Sequence, residues 1–300
     1  MISAVENYLA VRRATGFELM NTEYLLRSFA RWAAQRGETH ILTESAIAWA
    51  TQTVSLAQRQ ARLKTVCRFA RYLRAEDNRH ELPPANHFAY RKRRRVPHIY
   101  SAGEIRRLLD ATSRLGPPDS LQPHTYATLI GLLAASGMRI SEALGLQLSD
   151  VTPQGLLIHK TKFRKTRLVP LHETAVAALN RYLTRRREYC DGEHVFIAED
   201  GRPLRYRDVY PVFQKLAKAA QVSGSLGRRP RWHELRHTFA VRSLEASPKD
   251  RQQVGQHLLA LATYMGHVNI DATYWYLEAT PELLQDIARA AEIFIRGGQL

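Results

Sequence analysis

The feature that most constrains this chain is a break in it. The stretch ELPPANHFAYRKRRRVPHIYS, residues 81–101, holds Pro83–Pro84, Pro97 and an unbroken basic run from Arg91 to Arg95. Proline removes backbone donors and a block of like charge repels itself, so no helix or buried strand runs through such a segment. Each side must fold around its own core, and 300 residues suffice for two. The expected division is a helical domain over 1–88, a basic linker over 89–99 and a larger domain over 100–300.

Before the break the chain reads as helices. In TEYLLRSFARWAAQRG, Leu25, Leu26, Phe29, Trp32 and Ala33 recur at helical spacing, with Thr22 as the start signal and Gly37 as the stop. A second helix is expected from Thr43 or Ser45, carrying Ile47 and Trp49. A third covers SLAQRQARLKTVCRFARYLRAE, with Leu63, Val66, Cys67, Ala70, Tyr72 and Leu73 on its apolar side. Its other side carries Arg59, Arg62, Lys64, Arg68 and Arg71. A charged helix face is ordinarily a solvated one, but a face of a single sign favours phosphate.

The whole chain leans the same way, with 44 Lys+Arg against 28 Asp+Glu and a net charge of +16. That balance points to a polyanionic partner, nucleic acid ahead of an anionic membrane surface. The longest apolar run, around TLIGLLAASGM, falls short of the roughly 20 residues that span a bilayer. MISAVENYLAVRRATG lacks the basic start and apolar run of a signal peptide. Cys67 and Cys190 have no CxxC partner, which argues against a disulfide framework and a zinc ribbon. The expected setting is reducing and cytoplasmic.

After the break, SAGEIRRLLDAT opens a helix with the capping-box pair Ser101 and Glu104. LLIHK and TRLVPL, separated by TKFRK, read as a hairpin. The fold class is therefore mainly α with a small antiparallel β-sheet.

Four stretches could carry chemistry. In AASGMRISEALGLQLSDV, Ser136–Gly137 ends a helix and Arg139 enters another beside Ile140, Ala143 and Leu144. An arginine in that setting needs a partner, either Glu142 or Asp150 in a salt bridge, or a phosphate clamped by its planar fork. Lys162, Arg164 and Lys165 stand at the hairpin tip, where the ordinary reading is a solvated turn. RPRWHELRHTFAVRSL contains HELRH, which matches the zinc-protease pattern H-E-x-x-H. Arg236 inside that pattern would set a cation beside the metal, and the strong basic charge has no role in such an enzyme. The alternative is His-x-x-Arg: His233 and Arg236 share a helix face and could hold one phosphate. Finally, MGHVNIDATYWYLEAT holds His267, Tyr274 and Tyr276, with Tyr264 just before it. Aromatic density of this kind is ordinarily core, so the question is which phenol, if any, is a nucleophile.

Taken in order, Arg139 in GMRISEALGLQLSDV, Lys162 before RLVPL, His233 and Arg236 in HELRHTFA, His267 in MGH and the following Tyr276 resemble the tyrosine recombinase (phage integrase) family. The resemblance covers about residues 100–285, and TYMGHVNIDATYWYLEATPELL is also similar to recombinases of transposons and integrative elements. The basic helical part before the break resembles the family's core-binding domain. The resemblance implies a catalytic domain and a core-binding domain forming a C-shaped clamp on a double-stranded DNA recombination site. It implies phosphodiester cleavage and rejoining with no metal and no cofactor, carried by Arg139, Lys162, His233, Arg236, His267 and Tyr276. Tyr276 stands nine positions after His267, as the family pattern requires. Tyr274 lies two residues earlier and would point to another helix face; Tyr264 is expected in the core. Arg59, Arg62, Lys64, Arg68, Arg91, Lys92, Arg93, Arg94, Arg95, Arg164 and Lys165 are the candidate DNA contacts.

Two departures stand out. Phe163 occupies a hairpin position where glycine is common, and the segment from Arg236 to His267 is long. Its extra length, SPKDRQQVGQHLL, is expected as a loop toward DNA or a neighbouring protomer. The last helix, TPELLQDIARAAEIFI, starts with Thr280, Pro281 and Glu282 and carries Leu283, Leu284, Ile287, Ala291 and Phe294 as a stripe. It packs on its own domain or, as the resemblance implies, on the next protomer of a homo-tetramer on DNA. Integration, excision, transposition and resolution of a mobile element remain open, as do accessory or sister recombinase proteins. The rival readings are type IB topoisomerase-like relaxation, a non-catalytic DNA-binding regulator and, remotely, the zinc protease.

Overall fold

The computed structural model describes residues 1–90, 96–117, 119–159, 166–246, 251–266 and 273, with 251–254 as backbone alone. The chain divides into two compact units, Met1–Arg94 and Arg95–Leu300. Among the described residues the fold is mainly α, with one three-stranded antiparallel sheet in the second unit.

The first unit contains α1 (Ile2–Ala14), α2 (Met20–Gln35), α3 (Thr43–Thr51) and α4 (Leu56–Arg74). Helix α2 buries Leu25, Leu26, Phe29, Ala30 and Ala33, the stripe its spacing predicts. Trp32 is half-buried, with the Arg36 guanidinium 4.7 Å above its ring. Thr22 is not the cap. The cap lies three residues earlier, at Leu19, whose carbonyl accepts the Glu23 N–H at 2.8 Å. Gly37 ends the helix as expected, at φ 71°, donating to the Ala34 carbonyl at 3.0 Å. Trp49 of α3 meets Phe29 edge-on at 5.4 Å. Helix α4 closes the core with Leu63, Val66, Phe69, Ala70 and Leu73, and the Cys67 thiol donates to the Pro83 carbonyl at 3.2 Å.

The basic side of α4 is of two kinds. Arg59 and Arg62 are half-buried, donating to the Thr53 carbonyl at 2.6 Å and the Trp49 carbonyl at 3.1 Å. They donate to carbonyls at and just past the C-terminal end of α3, where the helix supplies few N–H donors of its own. Lys64, Arg68 and Arg71 are exposed and fall on one stripe at i, i+4 and i+7.

The second unit begins with α5 (Ala102–Thr112), opened by a capping box: the Glu104 N–H donates to Ser101 Oγ at 3.1 Å and the Ser101 N–H to the Glu104 carboxylate at 2.8 Å. Then follow α6 (Leu121–Ser136), α7 (Ile140–Leu144), β1 (Val151–Thr152), β2 (Gly155–Ile158), β3 (Arg167–Val169), α8 (Glu173–Arg187), α9 (Tyr206–Ala219), α10 (Trp232–Glu245) and α11 (Arg251–Met265). The β2–β3 hairpin is present, with Leu156 opposite Val169 and Ile158 opposite Arg167. Strand β1 was not anticipated; two residues are too few for a pattern.

The core runs through Leu129, Ile130 and Leu133 of α6, Leu156, Val169, Leu179, Phe213 and Trp232. Trp232 stacks on Phe213 at 4.2 Å, which fixes the start of α10. On the other side of α10, Ala240, Val241 and Leu244 meet Leu258, Leu261 and Met265 of α11. That contact corrects the expected loop over 247–259. From Arg251 on the chain is helical, because Leu258, Leu261, Ala262 and Met265 form a buried stripe at helical spacing. Among the described residues, no helix is long and apolar enough to cross a membrane.

Candidate active site

The site forms where the α6–α7 turn, the start of α10 and the end of α11 meet. Gly137 leaves α6 at φ 59°, and a Cβ there would run into the Phe239 ring of α10. The glycine thus allows both the turn and the close approach of α10. Arg236 closes the junction. It is buried, 2% exposed, and donates from Nη1 to the Gly137 carbonyl and from Nη2 to the Met265 carbonyl, both at 2.7 Å. One guanidinium therefore spans the turn before Arg139 and the end of α11.

Arg139 is held from below. Its Nη1 donates to Glu142 Oε1 at 2.6 Å, its backbone N–H to Oε2 at 2.9 Å, and its Nη2 reaches the Gly266 carbonyl at 3.4 Å. Of the two carboxylates that could pair it, Glu142 does so; Asp150 instead faces His159 at 3.1 Å. Glu142 also receives both terminal nitrogens of Arg167, at 3.1 and 2.8 Å. Burial pushes the Glu142 carboxyl up, but the bonds from Arg167 and Arg139 outweigh it and hold it down at about 2.

His233 stands one turn before Arg236 and is exposed, its ring edge-on to His237 at 4.6 Å. Desolvation and then the charges of Arg236, Arg231 and Arg139 push its imidazole down to about 4. Because the residue still reaches solvent, the guanidiniums fix that direction more firmly than burial does. Without an anion present, His233 is thus neutral at ordinary pH and able to accept a proton. Glu234, the acid of the H-E-x-x-H match, caps α10: it accepts the Arg231 N–H at 2.9 Å and the Arg231 guanidinium at 3.2 and 3.1 Å. Its carboxylate is committed to Arg231, which removes the water-activating base a zinc protease requires.

A buried guanidinium at Arg236 and a half-buried one at Arg139, beside a neutral, exposed histidine, make a site for an anion. The comparisons with known proteins agree on which. The description "Phage integrase family" matches residues 100–282. A protein carrying the name integrase/recombinase y4rB, from Sinorhizobium fredii, is 38% identical over 302 residues, covering 96% of each chain. The tyrosine recombinase XerD of Caulobacter vibrioides is 33% identical over 244 residues, 79% of this chain and 75% of that one. In fold, the chain is similar to the XerH site-specific recombinase bound to its palindromic difH substrate, at TM-score 0.68 and 19% identity, over 97% of this chain and 85% of that one.

The chain belongs to the phage integrase family. It is a site-specific tyrosine recombinase, an enzyme of DNA strand exchange.

In this recombinase the structure brings Arg139, His233 and Arg236 together. Lys162, His267, Tyr274 and Tyr276 lie outside the described residues, as do Arg164, Lys165, the run Arg91–Arg95, residues 247–250 and the expected C-terminal helix over 280–295. Gly266, the residue before His267, is at the site. Tyr264 is a packing residue: half-buried, stacked on Phe239 at 5.5 Å, its hydroxyl donating to the Pro170 carbonyl at 3.1 Å. The sequence reading passed over Arg167. Its signal was present in strand parity: Arg167 and Val169 are two apart, so if Val169 faces the core Arg167 does too. An inward arginine calls for a carboxylate.

Proposed function

We propose that this chain cleaves and rejoins double-stranded DNA at a specific site through a covalent link between Tyr276 and a 3′-phosphate, with no metal and no nucleotide energy source. The observation that carries this reading is the meeting of Arg139, His233 and Arg236 beside Gly266, from which the chain continues directly into His267 and on to Tyr276. Arg139 and Arg236 bind the non-bridging oxygens and stabilise the charge of the pentacoordinate transition state. The Tyr276 oxygen attacks phosphorus, the bond to the 5′-oxygen breaks, and Lys162 delivers the proton to that oxygen. His233 and His267 hydrogen-bond the phosphate or move the phenol proton; the neutral state of His233 suits it to accept one. A 5′-hydroxyl from a second strand then attacks the phosphotyrosine, the new phosphodiester forms and Tyr276 leaves. The bond energy is conserved, so ligation needs no ATP.

Lys64, Arg68 and Arg71 form a stripe fit for the phosphate backbone, supported by a net charge of +16. The run Arg91–Arg95, with Arg164 and Lys165, supplies further candidate contacts to the DNA backbone. Four copies act on two duplexes, joined through the segment over 280–295 expected as a helix, in the cytoplasm of a bacterium. The domain limits 1–88 and 100–300 belong to the same proposal.

The test is a duplex carrying the element's end sequence, nicked so that cleavage releases a short fragment. Wild type, Tyr274→Phe and Tyr276→Phe are compared for an SDS-resistant protein–DNA adduct with EDTA present. Loss in Tyr276→Phe alone is expected. Loss in Tyr274→Phe alone moves the nucleophile. Binding without an adduct in any protein points to a regulator, and relaxation of supercoils at a single site to topoisomerase action.

A further inference from the structure

Arg167 touches, by one side chain, the segments that carry the separate parts of the site. Its Nε donates to the Tyr264 carbonyl at 2.9 Å, at the end of α11. Its two terminal nitrogens grip both oxygens of Glu142, which in turn holds the Arg139 side chain and backbone. It stands on β3, the strand that follows Lys162 in the sequence. The side chain is 10% exposed and Glu142 8% exposed, so water does not compete for these bonds. The fit leaves no slack at Gly266, where φ is 66° and a Cβ would come within 2.9 Å of Arg167 Nη1.

We propose that Arg167 is a positioning residue for strand cleavage, setting the Arg139 guanidinium, strand β3 and the Tyr264–Gly266 end of α11 in one register. This rests on the catalytic reading above. Three of the five Arg167 N–H donors are spent on Glu142 and the Tyr264 carbonyl, so the role assigned to it is exerted through Arg139. Glu142 accepts from two arginines at once, and a carboxylate so gripped has one orientation. Arg139 inherits that orientation. Lysine cannot substitute, because a single ammonium cannot serve both Glu142 oxygens and the Tyr264 carbonyl together. A buried ion pair is weak evidence for stability alone, and here every bond it makes ends on a segment leading to a catalytic group.

The test measures three quantities for the full chain: thermal unfolding, affinity for the nicked duplex, and the single-turnover rate of adduct formation at saturating protein. Arg167→Lys keeps the charge and Arg167→Gln removes it. Arg167→Lys is expected to fold and to bind DNA within about threefold of wild type, while cleavage falls roughly 10- to 100-fold. Arg167→Gln falls at least as far. If cleavage per folded molecule in Arg167→Lys stays within about twofold of wild type, the residue is a stabilising contact only and the inference is overturned. If Arg167→Gln does not fold, Arg167→Lys decides. If wild type itself forms no adduct, the catalytic reading fails and takes this one with it; if wild type cleaves, the outcome speaks to Arg167 alone.

Discussion

The two units treat arginine in opposite ways. In the first, guanidiniums lie over rings: Arg12 over Phe17 at 4.2 Å, Arg36 over Trp32 at 4.7 Å and the half-buried Arg62 over the buried Trp49 at 4.6 Å. Where the guanidinium stays in water, such a contact contributes about 0.5–1 kcal/mol. In the second unit Arg186 is 0% and Arg236 2% exposed, and Arg167 10%. Arg186 donates to the carbonyls of His194, Cys190 and Gly192, and Arg236 to those of Gly137 and Met265. Burying a guanidinium costs several kcal/mol, and only a near-complete set of acceptors offsets that. The first unit therefore spreads its arginines over many small, separable contacts, and the second concentrates them in a few that cannot be lost singly. Arg186 holds the 190–194 loop, so burial by itself does not mark a catalytic arginine. The mark at Arg236 is its bridge between two segments beside an exposed histidine.

The sharpest way to break this contrast is Arg236→Ala. It orphans two buried carbonyls and is expected to lower the unfolding free energy of the second unit by roughly 3 kcal/mol or more, besides abolishing cleavage. Denaturant titration checks it, and a loss below about 1 kcal/mol would place Arg236 with the separable arginines of the first unit.

Next is Glu142. Its folded value is depressed to about 2, so its contribution is present above the ordinary carboxyl range and disappears as pH falls through that range toward 2. The shift corresponds to on the order of 3 kcal/mol. Unfolding measured between neutral and acid pH should show that slope in wild type and lack it in Glu142→Gln. His233 acts in a separate window. Its depressed value means that stability is present above the ordinary histidine range and erodes as pH falls from there toward about 4. His233→Gln should remove that upper limb while the Glu142 limb stays.

Gly137→Ala comes third, at about 1–3 kcal/mol, through positive φ and the Phe239 ring. Thermal unfolding reads it, and a neutral result would mean that α10 can shift away from the turn.

The smallest stability effects belong to α4. Lys64→Ala, Arg68→Ala and Arg71→Ala should each stay within about 0.5 kcal/mol of wild type. Together they should reduce the salt slope of DNA binding by roughly 3, near 0.9 per phosphate contact. Arg59→Ala and Arg62→Ala should do the reverse: about 1 kcal/mol each in stability, with little change in slope. If all five reduce the slope alike, the division of that helix face is wrong.

Much of this was legible in the residues, and the legible parts are local. The stripes of α2 and α4, the Ser101–Glu104 capping box, the β2–β3 hairpin and the Arg139–Glu142 pair all join residues within a few turns or across one tight connection. Backbone geometry alone brings such residues together, so spacing suffices to find them. The α2 start slipped because Leu19 closes the first turn in a conformation that no start signal announces. The missed α11 stripe was also local, and was hidden by the mixed charge around it.

The partners of buried charge are another matter. Arg236 finds acceptors 99 and 29 residues away, and Arg167 finds Glu142 at 25 and Tyr264 at 97. Strand parity could say that Arg167 faces inward but not what lies beneath it. Charge counting placed Arg59 and Arg62 toward phosphate, whereas the fold sets them on the Thr53 and Trp49 carbonyls at and just past the end of α3. The sequence determined which residues are chemically able to hold a phosphate. Which arginines face the site, and which are spent inside the protein, was decided only in three dimensions, because a desolvated guanidinium takes its acceptors from whatever the whole fold brings within reach.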